Sequence, residues 1–192
     1  MKKYSGFTLI EMLIVMGIII ILMAAGIAGG RFALQRANRI QKQSAVDNIE
    51  QALWGYYTDN RGFPRGTGNT NPMALLDDTT GALYPYMDAG SFDGGNDGHF
   101  YYFVDGQGQE FAICATLGGD GDEMGQGIYC TGNGLTSGNL GSTYGPFDVD
   151  VVPPDNIYTA DDPAPYADIY ENIINDTSAR GSFWNGETRA WE

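Results

Sequence analysis

From Phe7 to Gly30 the chain reads FTLIEMLIVMGIIIILMAAGIAGG, with Glu11 as its single charge and no charge at all from Met12 onward. About 20 predominantly apolar residues span a hydrocarbon core of roughly 30 Å, so this run is long enough to cross a membrane. A secretory signal is the competing reading, with Lys2 and Lys3 as its basic start and small residues between Ala24 and Ala28 as a cleavage site. Signal cores usually run about 7–15 residues and avoid carboxylates, whereas this run is longer and holds Glu11 near its start. On either reading the lysines keep the short N-terminal side cytoplasmic and the bulk of the chain lies outside.

Residues 31 to 58 continue the helix. Ala45, Ile49, Ala52, Leu53 and Tyr56 recur at the spacing of one helical face, and Lys42, Asp47, Asn48 and Gln51 are read as the opposite face. No proline precedes Pro64, and Asp59-Asn60-Arg61-Gly62 supplies a stop with Gly62 as the C-terminal cap. A helix over 7–58 is about 78 Å long, so its second half must pack on a domain. Gly17, Gly26, Gly29 and Gly30 each cost about 1 kcal/mol relative to Ala in a helix. They mark a place to melt or a small-residue face for close packing, and the sequence leaves both open.

Charge is divided unevenly along the chain. Of ten Lys and Arg, eight fall in residues 1–65 against four acids, a net of +4, which leaves −18 on residues 66–192 out of a total of −14. An acidic body lacks the cations that neutralise phosphates, which excludes nucleic-acid binding by that part. With 43% hydrophobic residues and 28 glycines, the body reads as folded and loop-rich.

Lys2-Lys3, Ser5-Gly6 and Phe7-Thr8-Leu9-Ile10-Glu11 ahead of an unbroken apolar run resemble the class III leader of bacterial type IV pilins and type II secretion pseudopilins. That resemblance implies cleavage by a prepilin peptidase after Gly6, methylation of the new N-terminus at Phe7, and retention of the apolar run. It also implies that Glu11 pairs with the Phe7 amine of a neighbouring subunit during assembly. The stretch 52–64 is similar to the helix end and following turn of major pseudopilins. The implied fold is α+β and pilin-like, a long N-terminal helix packed on a small antiparallel sheet. Segments are then expected as a leader over 1–6, a membrane and filament-core helix over 7–30, its amphipathic continuation over 31–61, a head over 62–147 and a Pro-rich C-terminal extension over 148–192.

Within the head, Phe100–Val104 and Phe111–Leu117 flank the turn Asp105-Gly106-Gln107-Gly108 and predict a β-hairpin, and 72–86 is read as holding a short helix, as is 166–175 in the C-terminal extension. Cys114 and Cys130, the only cysteines, lie in β-prone segments around a Gly-rich loop, and outside the cytoplasm such a pair is most simply a disulfide. Zinc is the rival, with His99 as the single histidine and a poor tetrahedral set. The loop over 117–127 resembles the calcium-binding loop of major pseudopilins, which makes Asp120 and Asp122 candidate oxygen ligands. It is not an EF-hand, and the family's further aspartates are replaced by Ile128-Tyr129-Cys130, so an acidic solvated turn is the competing reading. Asp93-Gly94-Gly95-Asn96-Asp97 is a second, weaker candidate. Trp184 and Trp191 either anchor the tail on the head or face a partner.

Catalytic patterns do not emerge. The sequence has no P-loop to power assembly and no Gly-x-Ser-x-Gly elbow, and any Ser-His-Asp set would need His99. The expected function is therefore structural: a non-enzymatic subunit, anchored in the inner membrane before assembly, that polymerises with like subunits into a periplasmic or extracellular type IV pilus or secretion pseudopilus. The implied partners are the prepilin peptidase, an inner-membrane platform and a separate assembly ATPase. The alternative is a secreted soluble binding domain or hydrolase released from an ordinary signal peptide.

Overall fold

Without a proline before Pro64, the apolar run and the amphipathic stretch after it form one helix. In a computed structural model of the chain, α1 runs over Leu9–Asn60. The structure describes residues 8–65, 75–76, 81–87, 92–119, 125–133, 157–162, 171, 173 and 182–191. The chain divides into two compact units, Met1–Ala37 and Asn38–Glu192. In the first, the described side chains from Leu9 to Ala37 are exposed on every side of the helix, which is long and apolar enough to cross a membrane.

In the second unit, α1 contributes a buried face of Ala45, Val46, Ile49, Ala52 and Leu53. This face packs on an antiparallel sheet of β1 (Gly98–Val104), β2 (Phe111–Thr116), β3 (Ile128–Gly132), β4 (Ile157–Tyr158), β5 (Phe183–Asn185) and β6 (Ala190–Trp191). The strand order is β4-β3-β2-β1-β5-β6. The expected hairpin is β1–β2, with Tyr102 opposite Ile113 and Val104 opposite Phe111. Three of the six strands, β4 to β6, come from residues after 148. The arrangement is the α+β, pilin-like one that the N-terminal resemblance implies.

The central strands β1 and β2 are buried on both faces, which is why β1 reads as a continuous rather than an alternating hydrophobic run. Phe100 and Tyr102 join the core against α1, together with Phe111, Ile113 and Ala115 from β2. The intervening residues His99, Tyr101 and Phe103 point the other way, and they are buried as well. Cys114 and Cys130 lie on that second face, directly opposed in the β2–β3 register and joined as a disulfide. Trp184 is buried in the helix-side core and packs with Phe92 and Trp191, so both tail tryptophans anchor to the head.

Two expectations about α1 are corrected. Lys42 is not on the solvent face but fully buried. At 100° per residue it sits on the same side as Val46 and Ile49. Its ammonium donates to the main-chain oxygens of Asp97 (2.7 Å) and Thr116 (2.9 Å), which offset the loss of water. Gly98 makes room for it, since a Cβ there would lie 2.7 Å from Nζ. The left-handed residue after the helix is Arg61, at φ +58°, not Gly62. Its N–H reaches back to the Tyr57 carbonyl at 2.7 Å, and its own carbonyl accepts from the Gln109 amide. Of the short helices expected in 72–86 and in the C-terminal extension, Leu75 and Leu76 are helical, Tyr84–Tyr86 is a 3-10 turn, and Glu171 and Ile173 are helical. The rest of both stretches lies outside the described residues.

The β1–β2 turn is organised by Asp105. Burial works against its charged form, but the N–H groups of Glu110, Gln109 and Gln107 point at the carboxylate and outweigh it, so its pKa lies below the usual value. A depressed carboxylate stabilises the fold above the unfolded-state value of about 3.9 and loses that contribution as pH falls through the folded value. Asp105→Asn is therefore expected to be less stable at neutral pH and to lose less on acidification below about pH 4. Tryptophan fluorescence reads this in the full chain, because Trp54, Trp184 and Trp191 all lie in the second unit.

For Lys42, denaturant unfolding read the same way should show Lys42→Ala less stable by about 3 kcal/mol, from the lost packing and two undonated carbonyls. Gly98→Ala should also destabilise, but less so in the Lys42→Ala background. Strictly additive costs would mean that the two positions do not share a contact.

Candidate processing and assembly site

Thr8 and Glu11 open α1 as a reciprocal cap. The Thr8 N–H and hydroxyl both donate to Glu11 Oε2, at 2.8 and 2.7 Å, and the Glu11 N–H approaches Thr8 Oγ1 at 3.4 Å. This is a capping box, in which the first and fourth residues satisfy each other's unpaired backbone donors. Thr8-Leu9-Ile10-Glu11 carries the spacing in plain view. Read only as a charge within an apolar run, Glu11 does not disclose this role; its spacing of three from Thr8 does.

The cap fixes where the charge sits. One carboxylate oxygen takes both Thr8 donors, so the negative charge is held over the first turn, where the positive end of the helix dipole favours it. Phe7 is the residue next to Thr8 in the chain. Gly6 and Phe7 themselves lie outside the described residues.

The two calcium candidates fare differently. Asp120 and Asp122 lie outside the described residues, but the two ends of their loop are described. Leu117 N–H donates to the Gly127 carbonyl at 2.9 Å, and Arg39 of α1 donates to the Gln126 carbonyl at 3.0 Å. Thr116 gives its main-chain oxygen to Lys42 and its hydroxyl to the Gly119 carbonyl. Two cations of the helix thus hold the neck of the loop through main-chain oxygens.

In the second candidate the carboxylates are already occupied. Asp93 Oδ2 pairs with Arg189 at 3.1 Å and its Oδ1 accepts the Gly95 N–H, while Asp97 Oδ1 accepts the Gly186 N–H at 2.8 Å. Trp184 donates its indole N–H to Gly95 O, and its ring lies so close to Gly94 that a Cβ there would be 2.6 Å away. Residues 93–97 are therefore a clasp for the β5–β6 turn. Among the described residues, no group of three or more His, Cys, Asp or Glu gathers as a metal site.

No curated protein and no solved structure matches the chain. Residues 1–27 match the family described as the prokaryotic N-terminal methylation motif. The matched segment contains Gly6, Phe7, the Thr8–Glu11 cap and most of the apolar run. The N-terminus of this chain thus carries the class III prepilin leader found on type IV pilins and pseudopilins.

Proposed function

We propose that the chain is cut after Gly6 by a prepilin peptidase, methylated on Phe7, and polymerised through α1 into a type IV pilus or a type II secretion pseudopilus. The observation that carries this reading is the motif match over 1–27, which runs into a helix whose later turns build the core of the head. A removable signal has no reason to run without a helix break into the element that packs the folded domain. A retained anchor does.

Glu11 supplies the chemistry of assembly. While the helix end lies near the cytoplasmic interface, the carboxylate, in the first turn of α1, reaches water. When apolar helices leave the bilayer and pack together, that hydration is lost, and an unpaired buried charge costs several kcal/mol. Cleavage creates an amine on Phe7, and pairing it with Glu11 of the next subunit neutralises both groups at one axial stagger. Thr8 is the positioning residue, holding one carboxylate oxygen and leaving the other face of the group for the incoming amine. Energy comes from outside, through an inner-membrane platform and a separate ATPase, since the chain has no nucleotide-binding loop of its own.

The test is made with the chain as the sole subunit. Intact mass and N-terminal sequencing should give a methylated Phe7 start; a start near residues 27–30 would instead identify a secreted soluble domain. Gly6→Val should block cleavage. Glu11→Ala should leave cleavage and membrane insertion intact and cut filament yield sharply, and normal yield would show that register is set elsewhere.

Calcium on Asp120 and Asp122 is a separate proposal, supported by the likeness of the 117–127 loop to that of major pseudopilins. Calorimetry and thermal melts of the full chain in millimolar calcium should show binding and a raised midpoint. An unchanged midpoint would leave a solvated turn held by the disulfide and the helix cations.

A further inference from the structure

The four basic residues of α1 between Arg31 and Lys42 divide into two pairs with different surroundings. Arg39 and Lys42 give their donors to main-chain oxygens of the head. Arg31 and Arg36 are exposed, and neither makes a hydrogen bond or ion pair among the described residues. They are five positions apart in the chain, which places them about 140° apart around the axis and about 7.5 Å apart along it. Phe32 and Leu34 lie between them, 70% and 66% exposed.

We propose that Arg31 and Arg36 form a cationic collar that docks on the acidic head of a second copy of this chain. The proposal rests on the polymerisation reading and specifies one of its interfaces. Residues 66–192 carry −18, with Asp97, Asp161, Glu171 and Glu187 exposed among the described acids. Copies side by side bring such heads within reach of a Debye length of about 8 Å, where like charges repel. Opposite charge on the stalk of a neighbour relieves that repulsion and favours one arrangement over others. Two arginines on different sides of the helix suit a helix surrounded by copies rather than one lying on a single partner. Phe32 and Leu34 leave water at the same contact, giving it the aromatic, arginine and aliphatic make-up of an interface centre.

Anionic lipid is the other occupant with the right charge, and the sequence weighs against it. The collar follows the apolar run on the translocated flank, where the positive-inside rule disfavours Lys and Arg, and away from the anionic cytoplasmic leaflet.

The experiment replaces both residues, Arg31→Gln with Arg36→Gln, in the full chain as sole subunit. It measures leader cleavage by mass, the amount of subunit in the membrane, and sheared filament yield. Cleavage and membrane level should match the wild type while filaments fall by about tenfold or more, and Arg31→Lys with Arg36→Lys, which keeps the charge, should recover most of the yield. Glutamine-variant filaments within about twofold of wild type would overturn the proposal. A fall in membrane level would overturn it too, by assigning the arginines to lipid. If the wild-type chain is processed but forms no filament, the polymerisation reading fails and the collar falls with it.

Discussion

One ammonium group has to be satisfied inside the head before helix and sheet can close on each other. Lys42 sits on the buried face of α1, and its charge would be intolerable there without the Asp97 and Thr116 carbonyls. Those oxygens come from just before β1 and from the end of β2, so the ammonium ties the helix to both strands of the central hairpin. An apolar contact could slide along the helix; a donor that must meet two particular oxygens cannot. Gly98 follows from the same demand, since any side chain there would displace the ammonium. So does the neck of the 117–127 loop, which begins at an oxygen already committed to Lys42.

The same helix meets two opposite solvation problems. Within the head, its apolar face is covered by the sheet and its buried charge is matched by main-chain dipoles. From Leu9 to Ala37 its described side chains are exposed all round. A helix apolar on every side is stable only in lipid or among other helices. Glu11 is adapted to both surroundings, because the Thr8 cap satisfies it within its own first turn. The carboxylate is thus held in place whether water or a neighbouring subunit faces its remaining side.

Clasping, rather than metal binding, explains most of the acidic groups whose partners are seen. Asp93 and Asp97 hold the turn between β5 and β6, Asp105 gathers the N–H groups of the β1–β2 turn, and Asp47 and Glu50 accept from Tyr129 and Thr131 on β3. Each carboxylate replaces water with hydrogen-bond donors of the chain, mostly backbone ones, which is how a glycine-rich head fixes its loops without long regular elements.

Local rules written along the chain were enough for the α1 span, the β1–β2 hairpin, the Cys114–Cys130 pair and the leader. Helical period, a glycine turn between two β-prone runs and the order of residues around Gly6 all act within a few residues of one another. The Thr8–Glu11 cap is equally local, two residues three apart in the chain. Helical period already puts Lys42 on the side of Val46 and Ile49, and tertiary structure decided that a charge stays there, because the carbonyls that permit it are 55 and 74 residues away. Tertiary structure alone decided that Arg61 rather than Gly62 takes the left-handed position, where the Arg61 carbonyl meets Gln109 from the β1–β2 turn. The strands after residue 148 belong to the same class. β4 and β5 are two and three residues long and become strands only because β3 and β1 offer unpaired edges for them to complete.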